Sequence, residues 1–383
     1  MLTELRRNPA PVLIIFAGGL LAGVLLGLIF ARSGRPAQAA NGVTRTVLAV
    51  HHRSQAPSES VGDKPTATIL PPASAGSNGA DEVREQRRET LHAALESGVG
   101  DAESLGGEAA AAVWVDGDTQ PTLVGPATVA HRMWSMSKAV VTIAALRATH
   151  SRPDPVMWSA ITDAITRSDN CAIRRVIVGL QDRLDAGTSG TVAAFERVLA
   201  TAGAHIERSP QSASAEQACV PYLERHQQGV PGSDLGVVPQ FGTAEWTEFD
   251  AISFTHALAD GAYGEPGDYL LQLMGLPKKP PLEEPPPPTA PPLDWGAGAA
   301  FPVSWKPAWK AGWGGSQDRP PHFIAGQIVV LHLRTLPVAV AAVFTPSTEP
   351  TTDNPGVTAA PRALELMFEA ARIGLEDEAV GAR

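Results

Sequence analysis

Residues 309–344 read WKAGWGGSQDRPPHFIAGQIVVLHLRTLPVAVAAVF, and the fold is decided there. Ile324–Leu333 and Val338–Phe344 are short runs rich in β-branched residues, separated by a turn, with the length and composition of strands. A third strand-like run, Val303–Ala311, leads into the quoted stretch. Toward the C-terminus, Pro361–Leu375 carries Leu364, Met367, Phe368 and Ala371 at helical spacing. Toward the N-terminus, Glu108–Val115 reads as a strand, Asp116-Gly117 as a hairpin turn and Gln120–Val124 as the returning partner, which Pro121 places at an edge. Ahead of them DEVREQRRETLHAALESG, from Asp81, has acidic residues early and Gly98 at its end, a helix signature. Between the two groups of strands, helical spacing runs through Ser137–His150, Val156–Val178, Thr191–Gly203, Thr243–Leu258 and Tyr269–Met274. In Thr243–Leu258, Thr243 is the expected cap and Glu245 lies in the first turn. The sum is an α/β (α+β) fold. We expect an antiparallel sheet of about five strands flanked by N- and C-terminal helices, with a helical domain inserted at about residues 130–275.

The ends of the chain carry other information. After Arg6 and Arg7 an apolar run from Pro11 to Ala31 is long enough to cross a bilayer, and Ala37-Gln38-Ala39 offers a small-residue cleavage site. An anchor and a secretory signal both fit, and either puts the rest of the chain outside the cytoplasm, on the membrane or secreted. The expected organisation is a stub and membrane segment at 1–32, a disordered linker at 33–80, one folded domain at 81–376 and a tail at 377–383. A formal charge of −10 implies no basic surface for nucleic acid. Residues 277–293, with the run KKPPLEEPPPPTAPPL, exclude helix and central strand and read as an extended loop. As an interaction scaffold, this loop would be the functional element. Cys171 and Cys219 have no metal or CxxC spacing, so a bridge and two separate thiols are both open.

The chemistry is written in the lysines. Of 30 basic residues only Lys64, Lys138, Lys278, Lys279, Lys306 and Lys310 are lysine. Arg cannot give up its proton, whereas a desolvated Lys can act as a base. Lys138 follows Ser135 by three residues, a spacing that puts hydroxyl and amine on one helical face, beside the free N–H groups of a helix start. Ser168-Asp169-Asn170 closes one helical stretch, and Lys310-Ala311-Gly312 closes a strand.

In this order, SxxK, SDN and KxG resemble the motifs of class A β-lactamases and penicillin-binding proteins. The stretches ITDAITRSDNCAIRRVIVGL and WKAGWGG are similar to that family's SDN helix and KTG strand. The resemblance implies a β-lactamase/transpeptidase-like fold and a serine hydrolase that needs no cofactor, with a peptidoglycan peptide or a β-lactam-like small molecule as its partner. Carried over by residue, Ser135 is the nucleophile and Lys138 its base. Lys310 assists, and Ser168 relays a proton to the leaving nitrogen. Asn170 binds the substrate amide, and Asp169 holds the loop. The N–H groups of Ser135 and Trp313 form the oxyanion hole, and Gly312 lets substrate lie against the strand.

The pattern also departs from the family. Ala311 stands where a Thr or Ser hydroxyl would bind the substrate carboxylate, and only about thirty residues separate Ser135 from Ser168. No ExxLN glutamate is evident for activating a deacylating water. Glu245 and Glu248 lie in the right part of the order, but Glu245 reads as a helix start. These losses leave a DD-peptidase-like enzyme, another acyl hydrolase, or a catalytically weak or inactive cell-envelope binding protein that keeps the fold.

Overall fold

The computed structural model describes residues 78–184, 187–214, 237–279, 295–315, 323–333, 336–347 and 356–380. The apolar run Pro11–Ala31, the expected linker and most of the proline-rich loop lie outside these residues. Among the described residues no helix is long and apolar enough to cross a membrane.

The described residues open with α1 (Asn78–Glu103), three residues ahead of the expected start, then β1 (Gly107–Val115) and β2 (Thr122–Val124). At the C-terminal end come β7 (Ala308–Gly315), β8 (Phe323–Leu333), β9 (Leu336–Pro346) and α9 (Gly356–Val380). The five strands form one antiparallel sheet in the order β2-β1-β9-β8-β7. This is the sheet the sequence called for, with β2 at one edge and β7 at the other. The β1–β2 connection is longer than a tight hairpin, because Val113 pairs with Thr122 and the residues between stand outside that ladder.

Alternation along the strands builds two cores. Ala109, Ala111 and Val113 of β1, with Val340, Ala342 and Phe344 of β9, face Leu91 and Leu95 of α1 and Leu364, Met367 and Phe368 of α9. The opposite face, with Ala112, Ile328, Val330 and Ala341, packs on the helical block. A period of two assigns every second residue to one face, so terminal helices and helical block share the sheet without mixing.

The helical block comprises α2 (Ser137–Ala148), α3 (Pro155–Thr166), α4 (Asn170–Leu184), α5 (Gly187–Thr201), α6 (Glu248–Ala259) and α7 (Glu265–Met274). Two short ladders accompany it: β3 (His131–Arg132) with β6 (Glu245–Trp246), and β4 (Gln211–Ser214) with β5 (Val237–Gln240). A one-turn helix, α8 (Ala297–Ala300), precedes β7.

Three expectations need correction. Val156–Val178 is two helices, because the SDN segment interrupts it between Thr166 and Asn170. Val303–Trp305 is a 3-10 turn, and the strand begins only at Ala308. Thr243 does not cap a helix. It lies in a 3-10 turn, Glu245 pairs with Arg132 across β3–β6, and the helix starts at Glu248 under Thr247. Thr247 accepts from the Asp250 N–H while Asp250 accepts from the Thr247 N–H, a reciprocal capping box.

Candidate active site

Ser135 lies in a 3-10 turn, Trp134–Met136, that runs directly into α2. The turn is held from both ends: the Met133 N–H donates to Ala244 O (2.9 Å) and the Met136 N–H to Met133 O (3.0 Å). The Ser137 hydroxyl donates to Trp134 O at 2.6 Å. Trp134 itself has φ +44°, a left-handed conformation that a bulky residue adopts only under tertiary constraint. The following turn of helix places Lys138, 3% exposed, on the inward side.

The Lys138 amine reaches the SDN segment. It donates to the backbone carbonyl of Ser168, to Asn170 Oδ1 at 2.8 Å and to Ser168 Oγ at 3.4 Å. Ser168 has φ +55°, so the loop turns sharply between α3 and α4 and presents both its carbonyl and its hydroxyl to the same amine. Asp169 is 1% exposed and accepts from the Ala172 N–H (2.7 Å), capping α4. It therefore holds the loop, the part the resemblance gives it.

The third motif arrives from the sheet edge. Lys310, 3% exposed, donates to Ser168 Oγ at 2.8 Å and to Ala311 O at 2.8 Å. One hydroxyl thus meets two lysine amines from distant elements. Burial holds the Lys310 amine well below the ordinary lysine range, and the nearby charges of Lys138 and Lys278 push it further down.

Gly312 shares the face of Lys310, and its α-carbon lies against the turn that carries Ser135. A Cβ there would stand 2.6 Å from Met133 O, 2.9 Å from Met136 N and 3.0 Å from Ser135 N. The glycine lets strand and turn touch, beside the contact with substrate that the resemblance implies for it. Ala311 points to the other face, opposite Gln327, with Trp309 and Trp313 in the cluster beneath α1 and α9. Gln327 is fully buried and clamps the chain entering α8, accepting from the Ala297 N–H (2.9 Å) and donating to Trp295 O (3.1 Å).

Glu245 is 5% exposed and pairs with Arg208 at 3.3 Å, while Glu248, 1% exposed, stands 3.3 Å from His131 Nε2. Burial pushes the Glu248 carboxyl up, and His131 pulls it part of the way back. Cys171, the residue after Asn170, is disulfide-bonded, and Cys219 is the only other cysteine in the chain. Among the described residues His205, Glu207 and Asp250 form a group of metal-ligand type. Both His205 ring nitrogens already face carboxylate oxygens, Glu207 Oε1 at 2.9 Å and Asp250 Oδ1 at 3.0 Å.

The sequence missed the capping role of Thr247, though Thr247-x-x-Asp250 carried its signal.

Solved structures of similar fold include a class A β-lactamase from Mycobacterium abscessus, which covers 72% of this chain and 98% of its own at 17% identity and TM-score 0.47. A β-lactamase from Xanthomonas campestris pv. campestris covers 74% and 98% at 15% identity and TM-score 0.49. PBP-A covers 74% and 96% at 14% identity and TM-score 0.47. No family model matches the chain, and no curated protein sequence does.

Proposed function

We propose that this chain is a serine hydrolase of the β-lactamase/DD-peptidase-like kind, acylated at Ser135 by an amide-bearing donor such as a peptidoglycan peptide or a β-lactam. The observation that carries this reading is the meeting of Lys138 and Lys310 at Ser168, with Gly312 pressed on the turn that bears Ser135. Three segments far apart in sequence supply a nucleophile, a buried amine base and a hydroxyl relay at one place. Lys138 takes the Ser135 proton as Oγ attacks the carbonyl, and Ser168 passes a proton to the leaving nitrogen. The Ser135 and Trp313 N–H groups receive the oxyanion. Asn170 and the edge of β7 orient the donor.

Deacylation is the slow step in this scheme. Glu245, the first candidate for activating water, is committed to Arg208. The N-terminal apolar run, as anchor or signal, places the domain outside the cytoplasm, where peptidoglycan lies.

The test is Lys138→Arg, which keeps the charge but removes the base. Acylation measured by stopped-flow or quenched labelling should fall by about 10²-fold or more, with the fold intact by circular dichroism. A rate near that of the unaltered protein contradicts the reading.

A further inference from the structure

Trp134, the residue before Ser135, is held in a backbone conformation that a large side chain disfavours, with φ at +44°. Both its backbone and its ring are gripped. A Cβ on Gly242 would stand 3.3–3.4 Å from the Trp134 α-carbon, carbonyl carbon and carbonyl oxygen, so the 3-10 turn Phe241–Thr243 backs the main chain. From the helix side the Ser137 hydroxyl holds the same carbonyl. The ring lies against β7, where a Cβ on Gly314 would meet indole Cδ2, Cε2 and Cε3 at 2.9–3.0 Å. The Arg132 guanidinium stands 5.6 Å from the ring centroid. The indole Nε1 is buried without a hydrogen-bond partner among the described residues, so packing sets where the ring lies.

The place of this contact in the chain gives it meaning. Trp134 precedes Ser135, and Gly314 follows Trp313. The indole therefore joins the immediate neighbours of the two N–H groups that receive the oxyanion in the acyl-transfer reading. Gly312 already brings β7 onto the backbone of the turn, and Gly314, two residues along the same face, meets the ring. One contact point would leave the strand free to pivot about it. Two points fix its tilt as well as its distance. An oxyanion hole needs both donors aimed at one oxygen position before the reaction begins, so their separation must be built into the fold.

We propose that Trp134 is a positioning residue for the oxyanion hole, its ring serving as the spacer that sets the separation of the Ser135 and Trp313 N–H groups. The left-handed backbone is the strain tolerated to put the ring there. The proposal rests on the acyl-transfer reading above. Trp134 acts through the two donors and neither takes a proton nor forms a covalent bond.

The experiment compares the full-length unaltered chain with Trp134→Gly, Trp134→Phe and Gly314→Ala. Trp134→Gly removes the ring but suits the left-handed backbone, and so separates spacer from strain. Each protein is acylated with a penicillin carrying 13C at the β-lactam carbonyl, and isotope-edited infrared spectra give the ester carbonyl stretch of the adduct. In Trp134→Gly that band should move to higher frequency, as a less polarised carbonyl requires. The acylation rate constant should fall by about 10²-fold, the scale of one lost oxyanion donor, while the dissociation constant of the preceding non-covalent complex holds. Gly314→Ala, which intrudes on the ring from β7, should move the band the same way. Trp134→Phe should keep the band in place and most of the rate. A band unmoved in both Trp134→Gly and Gly314→Ala, or a fall shared equally by binding and rate, overturns the proposal.

A second readout does not depend on acylation. In Trp134→Gly, amide hydrogen exchange should quicken in peptides covering the Met133–Met136 turn and Gly312–Gly314 together, while α1 and α9 keep their protection. Faster exchange in the turn alone, or throughout the domain, overturns the proposal. If penicillin leaves no adduct on the unaltered protein, the acyl-transfer reading fails separately, and the exchange pattern still decides whether Trp134 ties turn to strand.

Discussion

Gly312 illustrates how one absent side chain positions the candidate site. Its α-carbon lies against the Met133–Met136 turn, where a Cβ would meet backbone atoms at 2.6–3.0 Å. Backbone cannot swing aside as a flexible side chain can, so strand and turn must separate. Gly312→Ala should lower the second-order labelling rate by at least about tenfold, because a displacement near 1 Å is enough to degrade catalytic geometry. A labelling rate within twofold of the unaltered protein would show that the contact is not needed. At this scale much was legible in the sequence. Ser135 and Lys138 stand out through a local i, i+3 spacing, and the scarcity of lysine draws attention to Lys138 and Lys310. The convergence on Ser168 was not derivable from spacing, because α2, the SDN loop and β7 meet only through the fold.

Among the elements, α6 shows how tertiary pairing displaces a local signal. Thr243 with Glu245 looks like a helix start when read alone. In the folded chain Glu245 is drawn into β6 opposite Arg132, and the Thr243 hydroxyl is spent between β4 and β5, accepting from the Gln211 N–H (2.8 Å) and donating to Gln240 O (2.8 Å). The helix then begins at the next Thr, where Thr247 and Asp250 satisfy each other's N–H groups. Thr247→Ala should destabilise the domain by ~1 kcal/mol or more, the usual cost of a lost N-cap, with the higher end favoured because Asp250 is fully buried. Denaturant unfolding measures this, and an unchanged midpoint would remove the capping box from the account. The strands of the sheet were far easier to read, since Ile324–Leu333 and Val338–Phe344 are apolar on both faces and each face is covered. SDN split a helical pattern in two because apolar periodicity continues across it, and only the positive φ of Ser168 reveals the break.

At the scale of the whole molecule, the sheet separates two cores, and the candidate site lies at the β7 edge where the helical block meets it. Terminal helices cover one face and have no part in the site, so the sequence could announce the layers from helix and strand order alone. What it could not announce is how the loops close on the edge, because that depends on Gly312 against the turn and on Gln327 holding the chain ahead of α8. The same arrangement argues for a long-lived acyl-enzyme. With Glu245 tied to Arg208, penicillin turnover should stay far below the ~10 per second of a typical enzyme, while the adduct persists after excess penicillin is removed. Rapid steady-state hydrolysis would show that a water-activating base had been overlooked.

The most direct measurement is intact-mass spectrometry of the full-length chain, purified in detergent and incubated with a penicillin or a fluorophosphonate. The account predicts a single adduct, mapped by peptide analysis to Ser135 and abolished in Ser135→Ala. An adduct that survives in Ser135→Ala, or no adduct from either reagent on the unaltered chain, would contradict it.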